Sequence, residues 1–267
     1  MNLPKTLLSV AFFATSLMSF TQEKETTTLD ALITDRPDQT ESPNAIPKGF
    51  LQIETGSGFE SFKNNNIKTE DLTLNTTLIR YGLLENLELR LGWDFVEGST
   101  KINGNKLNNI TSGFSPLLIG IKMGITEEKG ASPEIGLLLH TSHPFFAGED
   151  YKIQSTGVDF RFAFSHTLNE KSSLAYNLGM AWDGEITSAN YVYTLVYGYS
   201  FSDKIGTYIE LYGDLPEGNK ANHFWDAGIT YLVSNNFQLD ISGGTSITKG
   251  QDIMIRAGLS FRIPTKK

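Results

Sequence analysis

The sequence predicts an all-β protein, a closed antiparallel transmembrane β-barrel of about 12 strands that follows an N-terminal extended strap. Three observations support this fold. From Gly49 onward, short runs of alternating apolar and polar residues are separated by clusters of Gly, Asn, Asp, Ser and Lys. The connections between these runs alternate between short and long. The chain also begins with an export signal.

This export signal has the three parts of a signal peptide. Lys5 supplies the positive charge, residues 7–18 form the apolar run, and residues 19–21 provide small side chains for cleavage. An uncleaved anchor helix is the alternative, but a spanning helix needs about 20 apolar residues and this run is shorter. The predicted organisation is a signal peptide at 1–21, a periplasmic or lumenal strap at 22–48 and an outer-membrane β-barrel at 49–267.

Composition narrows the classes of partner and chemistry. The chain has 267 residues, a formal net charge of -8 and no cysteine. The acidic balance argues against nucleic acid, because a duplex binder needs clustered Lys and Arg. The lack of cysteine excludes disulfides, thiolate metal sites and a lipoprotein anchor. The expected partners are outer-membrane lipid and a small-molecule solute, and no cofactor is expected.

Twelve candidate strands are predicted, at residues 49–62, 71–82, 86–97, 113–126, 133–143, 153–167, 172–184, 190–201, 204–214, 223–233, 236–246 and 252–263. Tight turns follow the even-numbered strands, as at residues 84–86 and 168–171. Longer polar connections follow most odd-numbered strands, as at residues 98–112 and 145–152. This alternation is typical of an outer-membrane barrel with both termini on the periplasmic side.

Side-chain parity assigns one face of each strand to lipid and the other to the lumen. In the last strand, Ile255 and its apolar neighbours face lipid, whereas Arg256 faces the lumen. In the second strand Leu72 and Leu74 are out of phase with Ile79 and Tyr81, which indicates either a bulge or a late entry of the strand into the membrane. The predicted lumen-lining residues are Glu54, Arg80, Glu88, Arg90, Asp94, Lys122, Asp159, Arg161, Asp183, Glu210, Asp226, Asp240, Arg256 and Arg262.

A soluble β-sandwich is the alternative to the barrel. Its strands bury one face and expose the other to water, which produces the same two-residue alternation of apolar and polar side chains. The export signal, the alternating connections and the aromatic residues near strand ends favour the barrel. Two aromatic belts are expected at the heights of the lipid headgroups. They comprise Trp93, Phe95, Trp182, Tyr191, Tyr193 and Trp225 at one end, and Tyr81, Phe164, Tyr199, Phe201, Tyr231 and Phe261 at the other.

The strap is rich in proline, and Pro37, Pro43 and Pro47 exclude a regular helix or a central strand. Its predicted functional motif comprises Asp35, Arg36, Pro37, Asp38, Thr40 and Glu41. We expect the strap to lie against the periplasmic mouth or inside the lumen, although an ordinary solvated linker is the alternative. The candidate partners are Arg80, Arg90, Arg256 and Arg262 for the strap acids, and Glu54 or Glu88 for Arg36.

The same segment carries a resemblance to a known family. ITDRPDQTESP (residues 33–43), IPKG (46–49) and QIETG (52–56) resemble the opening of a bacterial family named for the meta-cleavage pathway of phenol degradation. LIRYGLLENLELR (78–90) resembles its first tight hairpin. Members are commonly described as outer-membrane transporters, so the resemblance implies a barrel and, by analogy, uptake of small aromatic or apolar compounds. It brings no catalytic or ligand residue.

One segment suggests an enzyme. His140 and Ser142 alternate on one strand, as in outer-membrane phospholipase A, but the phase of Leu137 and Leu139 turns both inward, away from a lipid substrate. His140 and His143 lie on opposite faces, so they do not chelate one metal ion. The sequence therefore predicts a passive pore or transporter and not an enzyme. A structural or adhesive barrel and a membrane-embedded hydrolase remain as alternatives.

Overall fold

The computed structural model of the chain describes residues 29–248 and 250–265, so the predicted signal peptide lies outside the described residues. The described residues from Ala31 onward form one compact unit. Its regular structure is almost entirely β-strand, with two short 3-10 turns at Pro144–Phe146 and Glu149–Tyr151. No helix in this described part is long and apolar enough to span a membrane.

The strands form one antiparallel sheet that closes on itself, because β1 pairs with both β2 and β13. The described strands are β1 (Phe50–Asn64), β2 (Ile67–Leu84), β3 (Leu87–Ile102), β4 (Asn105–Phe114), β5 (Leu117–Thr126), β6 (Glu134–His143), β7 (Gly157–Asn169), β8 (Ser172–Trp182), β9 (Asn190–Ser200), β10 (Ile205–Pro216), β11 (Asn222–Ser234), β12 (Phe237–Ser246) and β13 (Gln251–Pro264).

Twelve of these strands form the ring of the barrel. β3 pairs with β5 through Leu87–Gly92 and with β4 through residues 95–102, so β4 only extends the wall beyond the ring. All described pairings around the ring are antiparallel. The predicted closed barrel of about 12 strands is therefore confirmed.

The predicted fourth strand, residues 113–126, is not continuous. It breaks at Ser115 and Pro116, which separate the end of β4 from the start of β5. Proline lacks the N–H that a strand interior needs for its ladder. The backbone N of Ser115 still donates to the carbonyl of Asp94 at 2.8 Å, which keeps the break joined to β3.

The predicted long connection at 98–112 was wrong, because most of it is β-strand. β3 and β4 form a hairpin that turns at Asn103 and Gly104, whose φ angles are 52° and 82°. An Asn-Gly pair with positive φ at both positions is the preferred two-residue hairpin turn. The polar composition of this segment reflects strands that extend beyond the ring, where both faces meet water.

The two ends of the barrel differ in their connections. The short-turn end carries tight turns such as Glu85–Asn86 and Glu170–Lys171, and it is also the end at which the barrel begins with Phe50 and ends with Pro264. The opposite, long-loop end carries residues 144–156, which include both 3-10 turns. This connection shortens the predicted sixth strand, which begins at Gly157 and not at residue 153.

The predicted lipid and lumen faces agree with side-chain exposure. Leu89 is 43% and Ile121 38% exposed on the outside, whereas Glu88 and Lys122 are fully buried inside. The predicted irregularity of the second strand is a register shift at Thr73–Asn75 between β2 and β3. Four of the predicted belt aromatics are among the exposed outer side chains, namely Tyr191, Trp225, Phe201 and Tyr231.

Candidate functional site

The strap runs inside the barrel as a re-entrant loop. The backbone N of Leu32 donates to the carbonyl of Asn235 at 2.8 Å, and that of Gly49 donates to the carbonyl of Gly82 at 2.8 Å. Both contacts lie at the short-turn end. Arg36, by contrast, lies against residues near the middle of β1 and β13. The strap therefore enters and leaves the lumen at the short-turn end, with its tip at residues 36–38.

Glycines in the wall make room for the strap. Gly56 and Gly258 face each other across β1 and β13, and a Cβ at either position would clash with the guanidinium of Arg36. The backbone of Pro43 lies against Gly136 in the same way. Glycine allows this close approach because it has no side chain. The inner wall of the barrel is thus shaped to accept the strap backbone and Arg36.

Asp35 is the centre of a buried ionic cluster between strap and wall. Its carboxylate lies 3.0 Å from Arg80 Nη1, 2.8 Å from Arg90 Nη1 and 2.7 Å from Lys122 Nζ. It also accepts hydrogen bonds from the backbone N and hydroxyl of Ser42, which ties the two arms of the loop together. Burial acts to raise the pKa of Asp35, but the three cations outweigh it and hold that pKa well below 3.8.

Three further carboxylates complete this ionic cluster. Glu41 of the strap accepts two hydrogen bonds from Arg90 Nη2, at 2.9 and 3.0 Å. Glu54 accepts from Arg80 Nη1 at 2.8 Å, and Glu88 accepts from Arg80 Nε at 2.8 Å. Such charge-assisted bonds are about twice as strong as bonds between neutral groups. Together they satisfy buried charges that would be costly if left unpaired.

The expected partner of Arg36 was wrong. Arg36 pairs with Asp240 on β12, through Nη2 at 2.9 Å and Nε at 3.3 Å, and not with Glu54 or Glu88. Glu54 and Glu88 are already occupied by Arg80. The strand register explains this pairing. Asp240 lies directly across from Gly258, and the missing side chain of Gly258 leaves space for the Arg36 guanidinium to reach Asp240.

The opposite side of the strap meets an acidic wall. Glu210 accepts hydrogen bonds from the Thr40 hydroxyl at 2.5 Å and from the backbone N of Gln39 at 2.8 Å. Asp226 lies directly across from Glu210, and neither of its carboxylate oxygens has a hydrogen-bond partner within the described ranges. Burial, and then the charge of Glu210, raise the pKa of Asp38 at the strap tip.

A cavity of about 670 Å³ lies between the strap tip and the long-loop end. A second cavity of about 360 Å³ shares Arg36, Thr76, Asp94 and Arg256 with the first, so the two adjoin. We call both together the vestibule. Most of the residues that line it are polar or charged, and the strap tip forms its floor.

The predicted site residues fall into distinct places. Seven of the predicted lumen residues contact the strap, namely Glu54, Arg80, Glu88, Arg90, Lys122, Glu210 and Asp240. Five line the vestibule beyond it, namely Asp94, Asp159, Arg161, Asp183 and Arg256. Of the other two, Asp226 faces Glu210, and Arg262 donates to Asn236 Oδ1 near the short-turn end.

Asp183 lies just beyond β8, which ends at Trp182, so the predicted strand 172–184 was too long.

Sequence reasoning missed the neutral residues that hold the strap. Asn177 bonds both the N and the O of the Glu41 backbone, at 2.7 and 2.9 Å. The hydroxyl oxygens of Thr194 and Thr40 lie 2.7 Å apart, and Gln52 donates to the carbonyl of Ile33 at 2.8 Å. Their inward parity was the available signal, because each lies on the lumen face of a predicted strand.

Within the described residues, His140 and Ser142 do not form a hydrogen-bonded pair of base and nucleophile. His140 and Ser142 both line the vestibule, but in the described part of the chain they share no hydrogen bond, which a nucleophile and its base would need. The Nε2 atom of His140 makes no hydrogen bond there either. Within residues 29–248 and 250–265, no group of three or more His, Asp or Glu is placed to hold a metal ion.

Residues 34–263 match the family described as "Putative MetA-pathway of phenol degradation". The chain belongs to this family. The match includes the strap from residue 34 and the strands of the barrel, so the strap and the barrel both belong to the matched region. No curated protein sequence matches the chain.

Solved outer-membrane barrels share the fold of this family member. An outer membrane channel from Pseudomonas putida F1 is 14% identical with a TM-score of 0.62, covering 90% of this chain and 100% of its own. The translocator domain of the autotransporter NalP from Neisseria meningitidis is 12% identical with a TM-score of 0.51, covering 81% and 89%. The KdgM porin is 10% identical with a TM-score of 0.50, covering 79% and 98%. These identities show a common fold and no more.

Proposed function

We propose that the chain is a passive outer-membrane pore for small solutes. The vestibule carries this proposal, because a cavity of about 670 Å³ with a charged lining has no role in a barrel whose lumen is simply a packed core. Water-filled lumens lined by polar side chains are the property of outer-membrane pores. The export signal predicted at residues 1–21 and the fold support the outer membrane as the location.

We propose that the strap limits the bore and does not act in catalysis. It is held on one side by Arg80, Arg90 and Lys122 and on the other by Glu210 and Asn177. These contacts keep the strap within the lumen, so solutes pass only where it leaves room. The pore should therefore have a low conductance and a small size limit.

Small aromatic compounds with polar groups are the first solutes to test. Leu78 and Leu118 lie on either side of Gly92 and form an apolar patch in the vestibule. A flat ring can pack on this patch while its hydroxyl meets the polar lining. The family description, which names phenol degradation, agrees with solutes of this kind more than with purely apolar ones.

Planar-bilayer recording on the purified full chain tests the proposal. We expect discrete conductance steps of small amplitude, because the strap narrows the lumen. A variant that lacks residues 26–47 but keeps the export signal should give larger steps. Heat-dependent gel mobility should first show that both proteins form folded barrels.

The alternatives give different results in the same preparation. A structural or adhesive barrel would insert into the bilayer and produce no conductance steps in the full chain. A membrane-embedded hydrolase would release fatty acid from phospholipid vesicles, and a His140→Ala variant would abolish that release. Either result would overturn the pore.

A further inference from the structure

We propose that the vestibule favours cations over anions and that Asp94 is its specificity-determining residue, an inference that rests on the pore function proposed above. This preference restricts the solutes that pass readily to cationic and neutral compounds. Among the described residues that line the larger cavity there are seven carboxylates and four arginines, so the lining carries an excess of negative charge. The way in which these groups pair decides where that excess lies.

Every arginine of this lining is engaged by a carboxylate. Arg36 pairs with Asp240 at 2.9 Å, and Arg161 pairs with Asp159 at 2.6 Å. Arg90 belongs to the Asp35 cluster described above, and Arg256 pairs with Glu60. The positive charges that an anion would need are therefore neutralised by groups of the wall and the strap. An entering anion would have to compete with these carboxylates for each guanidinium.

Besides Asp38 at the strap tip, which lies near other carboxylates, three acidic residues of the vestibule form no ion pair within the described residues. Asp71 lines the smaller cavity, Asp183 lies in the loop after β8, and Asp94 lies on β3. In the described ranges, no Lys, Arg or His nitrogen lies within ion-pair distance of any of them. The Asp183 carboxylate accepts two backbone hydrogen bonds, from Glu185 and Ile186, which orient it without neutralising it.

Asp94 stands out among the three because it lines both cavities. Its position is fixed by its backbone, because its N donates to the hydroxyl of Ser115 at 2.8 Å and its carbonyl accepts from the backbone N of Ser115 at 2.8 Å. Thr76 lies directly across from it on β2 and itself accepts a hydrogen bond from Arg36 of the strap tip. Asp94 therefore lies where a solute passes from one cavity to the other, beside the strap.

Uncompensated carboxylates around a narrow aqueous path attract cations and repel anions. Acidic side chains select cations in channels, and a cleft with one sign of charge concentrates counter-ions within it. Salt weakens this effect, because the Debye length falls from about 10 Å at 0.1 M to about 3 Å at 1 M. Neutral phenols should therefore pass more readily than aromatic carboxylates of the same size.

The test is the reversal potential of the full chain in a planar bilayer under a KCl gradient. We expect a potential that shows a higher permeability for K⁺ than for Cl⁻, with the preference decreasing at high salt. Asp94→Asn removes one charge at nearly constant volume and should shift the potential toward zero. Asp203→Asn, in the exposed turn after β9, removes the same charge outside the lumen and should leave the potential unchanged.

The possible outcomes separate the two proposals. Conductance steps with a reversal potential near zero, or with a preference for Cl⁻, would overturn the cation preference and leave the pore intact. A cation preference that Asp94→Asn and Asp203→Asn alter equally would overturn the role of Asp94. The complete absence of conductance would overturn the pore and, with it, this inference. Equal heat-dependent gel mobility of both variants shows that each has folded.

Discussion

Lys122 of β5 and Asp35 of the strap are 87 positions apart in sequence, yet the Lys122 ammonium contacts both Asp35 oxygens at 2.7 Å. The side chain of Lys122 is fully buried and that of Asp35 is 2% exposed. A buried lysine on a barrel wall needs an anion, because an unpaired charge inside a protein is costly. The strap supplies that anion, so strap and wall form one charge-balanced structure.

Asp35→Asn should destabilise the protein. It removes the carboxylate shared by Arg80, Arg90 and Lys122 while keeping the size of the side chain. Removal of one partner from a buried ion pair costs about 3–5 kcal/mol. Urea unfolding in detergent, followed by tryptophan fluorescence, measures the free energy of unfolding. Asp203→Asn is the matched control and should change it little, so an equal loss in both variants would contradict a buried role for Asp35.

The same variant should show a defined pH dependence. Because the cations hold the pKa of Asp35 well below 3.8, the folded state keeps this carboxylate charged when the unfolded chain protonates it. Its contribution to stability is therefore complete above pH 3.8 and is lost as the pH falls through the lower folded-state pKa. The stability difference between wild type and Asp35→Asn should be constant near neutral pH and shrink in acid. A stability difference that grew in acid would show that folding does not lower the pKa of Asp35.

The Arg36–Asp240 pair should behave as a coupled unit. Arg36→Gln and Asp240→Asn each leave one charge without its partner, whereas the double variant removes both. Contacting residues of this kind show interaction energies of about 0.5–3 kcal/mol in a double-mutant cycle. The free energy of unfolding of the four proteins gives that energy. Simple additivity would mean that the ion pair contributes nothing to holding the strap tip.

The sequence predicted the barrel well because its faces alternate with a fixed period. The parity of Glu88, Arg90 and Lys122 against Leu89 and Ile121 gives the correct inner and outer faces without any tertiary information. The sequence carries a weaker signal for the ends of the strands than for their faces. The hairpin at Asn103–Gly104 and the break at Pro116 depend on one or two residues, and polar strands beyond the ring resemble loops.

The pairing partners inside the lumen could not be predicted in the same way. Parity shows that Asp240 points inward, but not that it lies within reach of Arg36 on the strap. That contact depends on the register of β12 and β13 and on the space left by Gly56 and Gly258. Three-dimensional neighbours around a closed ring are distant in sequence, and local periodicity carries no information about them.

Arg substitutions should distinguish the lipid face from the barrel ends. Leu89 is exposed on the outer wall among other apolar side chains, so Leu89→Arg should cost about 2–4 kcal/mol if the site lies near the bilayer midplane. Leu168 is also exposed but lies near a turn at the short-turn end, and Leu168→Arg should cost about 0–1 kcal/mol. Unfolding in lipid vesicles measures both values. Equal costs would contradict the assignment of a membrane-spanning face.

The strap should resist a protease that cleaves after glutamate. Glu41 lies within the lumen and is bonded to Arg90, whereas Glu127 lies in the exposed connection between β5 and β6. In the folded wild type, added glutamyl endoprotease should cut at Glu127 and spare Glu41, with mass spectrometry identifying the products. Asp35→Asn should increase cleavage at Glu41 and leave the rate at Glu127 unchanged, because it removes a strap anchor and not a wall contact. If the wild type is cut at Glu41 as fast as at Glu127, the strap leaves the lumen freely, and its ionic contacts do not hold it there.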